Sequence, residues 1–467
     1  MLATNFANID WSTNFTNIDW TIVTIYLLVA TTVGIIANKF IHNVGNYMVG
    51  GRAAGTALNT ATYIGGFTAL VSVVYGAQDG FNQGFTYMMV GFIAMLACGF
   101  FGVTGLVIKN IRHLKLTTIP EYFEKRYSRK TRIIAAVICA FAGILNMGLF
   151  PKMGAIFITY STGLAKTYED PTTLVNIVTS ILIIIVLLYT ILGGMVSVII
   201  TDFIQFMVMA VGIGIGLYYC LTFPGLGWDN MVDTMAKYRG EKAFNPFHVN
   251  SYGWIYMIWM ACSWSAAAIA WAPEATRALT AKDPATSRRT FLYATPAWFV
   301  SMAVPALWGI AAFTLFSSDA QLSSYFMPGG PTSIPPEDVA ARAMPLLMGK
   351  IVPTGLLGIL LAGMMATFMS THDSYFLCWA SVIVRDIINP LRSQPLNSNQ
   401  QIRVTRIVIA GIGVFLLVFG IWVKIPSSVW DYMAITGTIY LSGAAVILAG
   451  GIYWRRASTT GAIVALF

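Results

Sequence analysis

Long apolar runs are the feature of this sequence that most constrains its fold. A helix needs roughly 20 mostly apolar residues to cross the hydrocarbon core of a bilayer, and eleven complete stretches of that kind are present. Only 10% of the 467 residues are charged, whereas soluble domains carry about 25%. The sequence therefore predicts an all-α integral membrane protein that crosses the bilayer many times. The predicted spans are 21–38, 57–80, 86–108, 133–162, 173–190, 195–221, 252–272, 293–316, 353–384, 404–423 and 428–453.

A twelfth apolar stretch starts near residue 459 and reaches Phe467 before it is long enough to form a span. We expect from this that the chain continues beyond Phe467 and that its last helix is truncated. The first 20 residues are polar and lack a basic region, so no cleavable signal peptide is predicted.

The cations are distributed unevenly between alternate loops. With the N-terminus outside, the inward-facing loops hold 20 Lys and Arg residues and the outward-facing loops hold 7. Because cytoplasmic loops carry the excess of positive charge, this predicts a cell (inner) membrane protein with its N-terminus outside. Topology explains the net charge of +9, so we expect no nucleic-acid partner. The most basic loop, 109–132, is instead expected to contact anionic membrane lipid.

The sequence contains no arrangement that is typical of an enzyme. Its five cysteines lie in apolar runs and form no CxxC pair, so neither a zinc site nor a disulfide framework is predicted. No nucleophile–base pair, metal motif or phosphate-binding loop is found either. We therefore predict that the protein is not an enzyme.

Two predicted spans are poorly suited to be continuous helices. The stretch 61–69 contains the pair Gly65-Gly66, and the stretch 264–273 ends in Pro273. Glycine and proline both weaken helices. Within a membrane, unwound backbone is tolerated only where it lines a cavity or is buried in protein.

Each interruption falls in the first span of a five-span block, 57–221 or 252–453. Interrupted helices at corresponding positions of two halves indicate the binding site of a transporter. Residues 1–56 then form an N-terminal tail, an extra helix and a loop, and residues 454–467 begin a further helix. The alternative is that the glycine pair only allows close packing of helices.

The stretch 367–374 is rich in oxygen ligands at membrane depth. Ser370, Thr371 and Ser374 present hydroxyls toward one side of a helix. A hard cation such as Na⁺ takes several oxygen ligands, as larger hard ions do, and carbonyls freed by a broken helix would add to these hydroxyls. Two interpretations remain open: a sodium site, or hydroxyls that only bond to their own helix.

Six motifs occur in order along nearly the whole chain: NYMVGGR at 46–52, TTIPEYFEKRY at 117–127, GGMVSVIITDFIQ at 193–205, TRALTAK at 276–282, MST at 369–371, and GIYWRR at 451–456 followed by GAI at 461–463. Together they resemble the sodium/solute symporter family, which includes sodium-coupled sugar, proline, pantothenate and sialic acid carriers. The resemblance implies a LeuT-type five-plus-five inverted-repeat bundle with one extra N-terminal helix, in agreement with the predicted spans.

The resemblance also implies the ligands of a sodium site. These are the backbone carbonyls of Gly65, Thr68 and Thr367 and the hydroxyls of Ser370 and Thr371. Thr367 stands where the family usually has alanine, but only its carbonyl is needed.

Some family members bind a second sodium nearby. The matching positions here are Asp202, Ser370, Asp373 and Ser374. Asp202 also belongs to the general signature of the family, so a structural role, or a transient contact with the ion, is an alternative for it.

A solute pocket is expected at the midplane, between the two interrupted helices. By the resemblance, Ser72 and Trp264 line this pocket. The alanines that follow Trp264 depart from the polar pattern of sugar carriers, which argues against a hexose.

Lys152 is unusual because it lies deep in a predicted span, where a charge is costly. Three roles remain open for it. It could bind a substrate carboxylate, form an ion pair with Asp202 or Asp373, or form a structural pair with no role in transport.

We therefore predict a secondary active symporter that imports a small polar organic solute with sodium by alternating access. The alternative is a transporter-like sensor module of a larger signalling protein. The sequence determines neither the solute, nor the number of sodium ions, nor the oligomeric state.

Overall fold

The computed structural model describes residues 9–37, 39, 44–167, 170–333, 337–424 and 428–467. Within these ranges the regular secondary structure is helical, and no β-strand is present. The helices of nine or more residues are Asn17–Ala37, Thr56–Phe67, Leu70–Gln83, Met88–Thr104, Arg129–Met147, Phe150–Ser161, Pro171–Thr222, Trp228–Arg239, Gly253–Ala270, Ala272–Thr280, Pro284–Ser318, Glu337–Ile351, Leu356–Val382, Ser398–Trp422 and Val429–Tyr453. Helices of six to eight residues are Val44–Val49, Ile108–His113, Ile119–Arg126, Ala320–Phe326 and Thr459–Ala465.

Nine helical stretches of the described chain are long and apolar enough to cross a membrane. Two of the eleven predicted spans are not counted separately. Span 57–80 is broken, and its second half runs on into the next helix; span 173–190 has a shorter apolar part, Thr172–Leu188. The helical prediction for these regions nevertheless agrees with the structure.

Large apolar side chains cover much of the outer surface of the bundle. Leu28, Leu188 and Ile407 are each more than 60% exposed. Extended apolar surface of this kind is rare on proteins that are surrounded by water. With the nine apolar helices, it makes this a multi-pass membrane protein.

The first expected interruption is present, although it lies just beyond the glycine pair. The helix ends at Phe67 and restarts at Leu70, because Thr68 and Ala69 adopt non-helical backbone conformations. Gly65 and Gly66 stay helical. We call Thr56–Phe67 and Leu70–Gln83 together the first broken helix.

The second interruption is a single extended residue. Trp271 (φ −65°, ψ 119°) separates Gly253–Ala270 from Ala272–Thr280. Pro273 lies in the first turn of the second part, where its missing N–H costs little. These two parts are the second broken helix.

Gly194 divides the longest helical run, Pro171–Thr222, which has 52 residues and a kink at this glycine (φ 57°, ψ −173°). A straight helix of that length would measure about 78 Å, whereas the hydrocarbon core is about 30 Å thick. The kink therefore separates the predicted spans 173–190 and 195–221. A Cβ at Gly194 would lie 2.6 Å from the Tyr47 ring, so the position requires glycine for both its φ and its packing.

The helix Leu356–Val382, which we call the central helix, is the most enclosed element of the site. Every residue from Leu360 to Val382 is buried. The helix packs against Pro171–Thr222, Asn17–Ala37 and both broken helices. Its polar residues therefore face protein and not lipid, as charged and hydroxyl groups at membrane depth should.

Carboxylates hold several helix starts in place. Asp19 Oδ1 accepts hydrogen bonds from the amides of Gly355 and Gly358, each at 2.7 Å, and so anchors the start of the central helix. Asp283 caps Pro284–Ser318 through the amide of Thr286 at 2.8 Å. This bond holds the pKa of Asp283 below its ordinary value, because it favours the charged form.

Candidate ion and solute site

The first broken helix meets the central helix at Gly65 and Ser370. A Cβ built on Gly65 would lie 2.9 Å from Ser370 Oγ, closer than real Cβ contacts come, so this approach requires glycine. Ser370 itself is buried. The glycine pair therefore does allow close packing, and the unwound residues follow directly after it.

The break in the first broken helix releases backbone carbonyls beside this contact. In a continuous helix the amide of Ala69 would bond to the Gly65 carbonyl, but here it donates to the Phe67 carbonyl at 2.9 Å. The helix restarts with the amide of Val73 donating to the Ala69 carbonyl at 3.1 Å. The Thr68 carbonyl thus lies before the first bond of the second part. These carbonyls are suitable ligands for a small hard cation.

The hydroxyls of the central helix differ in their partners. Thr367 Oγ1 donates to the Met364 carbonyl of its own helix at 2.7 Å, as the alternative of local bonding expected. Ser370 Oγ instead donates to Asp202 Oδ1 at 2.6 Å. Thr371 Oγ1 is buried and has no hydrogen-bond partner among the described residues. Bonding within the helix therefore accounts for Thr367 but not for Ser370 or Thr371.

A buried arginine lies where the sequence suggested a second sodium. Arg277 Nη2 is 3.2 Å from Asp202 Oδ2 and donates to Ser374 Oγ. Arg277 and Asp202 are 2% and 0% exposed. The structure thus brings Asp202, Ser370 and Ser374 together, but around a guanidinium.

Arg277 was counted from the sequence among the loop cations that face inward. The structure corrects that assignment: Arg277 lies in the second part of the second broken helix, inside the bundle. Its guanidinium lies beside Gly66, where a Cβ would be 3.5 Å from Arg277 Nη2, an ordinary contact distance.

Asp373, the remaining residue suggested for a second sodium, points to a different neighbour. Its Oδ1 accepts a hydrogen bond from Thr190 Oγ1 at 2.5 Å. Thr190 lies in the helical run Pro171–Thr222. This bond ties the central helix to that run.

A cavity lies between the two broken helices and the helix Val429–Tyr453. Ser72 and Trp264, the two residues predicted to line a solute pocket, both lie in its wall. Eight of the 21 lining residues are aromatic. The aromatic residues are Phe67, Tyr75, Phe150, Trp264, Trp271, Trp298, Tyr375 and Trp430.

Five of these rings form a continuous wall in which each ring contacts the next. Phe67 stacks on Trp298 with centroids 3.9 Å apart, and Trp298 meets Trp264 edge to face at 5.0 Å. Trp264 then stacks on Trp430 at 5.8 Å, and Trp430 contacts Tyr75 at 5.2 Å. This aromatic wall joins residues from five separate helices.

Glu274 brings a carboxylate into the same cavity. It lies in the first turn of Ala272–Thr280 and is 8% exposed. Its Oε2 has no hydrogen-bond partner among the described residues. Glu274 was not predicted from the sequence, because the predicted span ended at residue 272. An acidic residue directly after Pro273 in an interrupted segment was the signal that could have found it.

Lys152 is not among the residues that line this cavity. Its Nζ donates to the Val423 carbonyl at 2.7 Å, just past the end of the helix Ser398–Trp422. A cation at a helix C-terminus interacts favourably with the helix dipole. The observed contact is thus with a backbone carbonyl and not with Asp202 or Asp373, and it differs from the ion pair considered from the sequence.

Comparison with known proteins places this arrangement among sodium-coupled transporters. The model of the Sodium:solute symporter family matches residues 47–467. The sodium/sialic acid symporter of Proteus mirabilis is 25% identical over 460 residues, which cover 94% of this chain and 86% of that protein. The sodium/pantothenate symporter of Haemophilus influenzae is 24% identical over 429 residues, covering 89% and 81%.

The sodium/glucose cotransporter of Vibrio parahaemolyticus is 26% identical over 364 residues, which cover 74% of this chain. The match spans 64% of that cotransporter, less than two thirds of its length.

A solved structure of a Na⁺-coupled sialic acid symporter, in a substrate-bound outward-open state, superimposes with a TM-score of 0.77. It is 19% identical, and the match covers 96% of this chain and 89% of that one. At this identity the likeness concerns the fold, which is the LeuT-type bundle. The predicted fold class is confirmed.

Proposed function

Because this chain belongs to the sodium:solute symporter family, we propose that it moves a small organic solute across the membrane together with sodium. The solute would bind between the two broken helices, and sodium would bind where the first broken helix meets the central helix. The relatives named above are symporters and cotransporters, which favours transport over the sensor module that the sequence left open.

Sodium binds where the first broken helix meets the central helix. Its ligands are the carbonyls of Gly65, Thr68 and Thr367 and the hydroxyls of Ser370 and Thr371, which we call the sodium cage. The single observation that carries this assignment is the buried Thr371 hydroxyl, which lacks a partner among the described residues. Leaving such a group unsatisfied costs about 1–3 kcal/mol, and a cation bound there would remove that cost.

The cage couples the ion to the solute through the elements that it joins. A sodium ion bound to Gly65 and Ser370 would tie the first broken helix to the central helix. Phe67 and Ser72, on either side of the break, line the solute cavity. Sodium would therefore favour the arrangement of these residues that binds solute, and solute would raise the affinity for sodium by the same factor.

We propose one sodium ion for each solute. Arg277 already supplies positive charge to Asp202 and Ser374, two of the oxygens that a second sodium would need. A second cation beside the guanidinium would face like-charge repulsion at membrane depth. Asp202 acts in this proposal as the partner of Arg277 and of the Ser370 hydroxyl.

We place the protein in the cell (inner) membrane with its N-terminus outside. The support is the excess of Lys and Arg in the loops that this topology puts inside. Anionic lipid would contact the basic segment 109–132 on that side.

The test is sodium-dependent binding and uptake by the purified full chain. Sodium, compared with potassium at equal concentration, is expected to raise the melting temperature in detergent, because it binds only the folded state. In proteoliposomes, an inward sodium gradient should drive accumulation of at least one solute from a panel of sugars, amino acids, carboxylates and ammonium compounds. Equal melting temperatures in both salts, together with uptake that ignores the gradient, would rule out sodium symport.

A further inference from the structure

The described lining of the cavity contains one acidic side chain, Glu274, and no basic one. Its other polar groups are the short neutral side chains of Ser72, Asn146, Ser263 and Thr438 and the hydroxyl and indole N–H groups of its aromatic residues. This described lining therefore offers no cation to a substrate carboxylate or phosphate.

The cation nearest to Glu274 along the chain makes its hydrogen bonds to other residues. Arg277 lies one helical turn further along Ala272–Thr280. Its Nη2 binds Asp202 and Ser374, and its Nη1 donates to Met195 Sδ at 3.1 Å. Arg277 and the N-terminus of the half-helix therefore stabilise a charged Glu274 only through space, and a cationic ligand would give it a direct partner.

The aromatic wall adds to the same electrostatic preference. The faces of Trp, Tyr and Phe rings carry negative partial charge and attract cations that come within about 6 Å of the ring centre. Trp264, Trp298 and Trp430 belong to one run of touching rings that lines the same cavity as Glu274. An anion would meet repulsion from both the carboxylate and these faces.

One donor in the wall suits a neutral oxygen on the same ligand. The indole Nε1 of Trp264 is buried and has no hydrogen-bond partner among the described residues. It can donate to a hydroxyl or carbonyl oxygen.

We propose, on the basis of the proposed function, that the solute is an organic cation. Its ammonium group binds between the Glu274 carboxylate and the aromatic wall, and a neutral oxygen beside it accepts from an indole N–H. Glu274 determines the specificity for charge, because it is the one carboxyl group among the described residues of the wall, and the rings exclude water from the pair.

The experiment compares ligands of equal shape and different charge. The probes are choline, its neutral carbon isostere 3,3-dimethyl-1-butanol, and the anionic 3,3-dimethylbutyrate, with tetramethylammonium and benzyltrimethylammonium as smaller and larger cations. Affinity is taken from the shift in melting temperature of the full chain with probe concentration at saturating sodium. Potassium is the salt control, since choline as a sodium substitute would itself occupy the cavity.

We expect at least one ammonium probe to bind about tenfold or more tightly than its neutral or anionic counterpart in the unaltered protein. Glu274→Gln should reduce this preference to less than about threefold, whereas Glu274→Asp should retain part of it. Glu241→Gln is the matched control, because it makes the same change at an exposed surface residue and should leave the preference unchanged.

Three results would overturn the assignment. They are binding of no ammonium probe, equal binding of charged and neutral isosteres, and a preference that survives Glu274→Gln. If the Glu274 variants do not fold, the comparison of isosteres in the unaltered protein still shows whether a cationic ligand is preferred. Stabilisation by sodium alone, measured without any probe, separates the two proposals. If sodium stabilises and no cation is preferred, the substrate assignment fails and sodium symport stands.

Discussion

The proposed sodium cage and the cavity both draw on residues of the first broken helix, yet they are built from different chemistry. The cage consists of neutral oxygens, three from backbone carbonyls and two from hydroxyls. The cavity consists of aromatic faces around one carboxylate, Glu274. The cage suits a small ion that loses its water molecules when it binds. The cavity suits a larger ligand whose charge is covered by the aromatic rings and Glu274.

This difference suggests how the molecule separates the proposed sodium ion from the proposed cationic solute. The half-helix Ala272–Thr280 carries Glu274 on the cavity side and Arg277 on the cage side. Arg277 compensates Asp202 near the cage, which leaves the oxygens of the cage itself neutral and leaves Glu274 open toward the cavity. The specificity of each site thus depends on where one guanidinium is held.

Breaking the buried ion pair should have the largest effect, because it removes this separation. Asp202→Asn leaves Arg277 buried without a counter-charge, which costs about 3–5 kcal/mol. We expect a markedly lower melting temperature and, in the protein that remains folded, a weaker preference for ammonium probes, since Arg277 is then free to approach Glu274.

The control is Lys350→Met, which removes an ion pair with Asp10 at 3.6 Å in which Asp10 is 61% exposed. Exposed pairs contribute about 0–1 kcal/mol, so this variant should melt close to the unaltered protein. If both variants lowered the melting temperature by similar amounts, the Asp202–Arg277 pair would contribute no more to stability than an exposed ion pair.

Removing one ligand of the cage should change sodium binding alone. Thr371→Ala deletes the buried hydroxyl, and a bond to a charged group contributes about 1.5–3 kcal/mol. The sodium concentration for half-maximal stabilisation should therefore rise about tenfold or more, with no change in the relative affinity of ammonium and neutral probes.

Thr367→Ala is the matched control, because its hydroxyl bonds to the Met364 carbonyl and only its own carbonyl belongs to the cage. Its sodium dependence should stay within about twofold. If both threonine variants behave alike, the cage is assigned to the wrong oxygens.

Truncating the aromatic wall should change solute binding and spare sodium. Trp264→Ala removes the ring that joins Trp298 to Trp430. Because an aromatic face contributes about 0.5–2 kcal/mol to a cation, ammonium probes should bind about fivefold to tenfold more weakly. Trp264→Phe keeps a face and should lose less.

The control for this variant is a sodium titration without any ammonium probe. Stabilisation by sodium in Trp264→Ala should match the unaltered protein. A loss of sodium response as large as the loss of probe affinity would mean that the cage and the cavity are not separate sites.

The smallest effect is expected at Lys152, which is not among the residues that line the cavity. Lys152→Met removes the hydrogen bond to the Val423 carbonyl, worth about 1 kcal/mol, and should lower the melting temperature slightly. Relative probe affinities should not change. A shift toward anionic or neutral probes would return Lys152 to the solute site.

Much of the fold was predictable because the cost of placing a residue in lipid is a local property. The apolar runs predicted the spans, and the residues around Gly65 and Pro273 predicted both interruptions to within a few residues. The oxygen-rich stretch 367–374 likewise drew attention to the central helix. Their roles as ligands remain a proposal.

The partners of the ionisable residues were not predictable in this way. Asp202 and Arg277 are 75 residues apart, and Lys152 and Val423 are 271 residues apart. Which of several cations reaches which carboxylate depends on how the helices pack.

Residue type over one or two helical turns was enough to show that this protein crosses the membrane many times and that two of its helices are discontinuous. The packing of the helices is what brings Glu274 to the cavity, directs the hydrogen bonds of Arg277 to Asp202 and Ser374, and places Lys152 against a backbone carbonyl. The reason is that a charge inside a bilayer takes the partner that the packed helices bring within reach, and the order of residues along the chain does not record that distance.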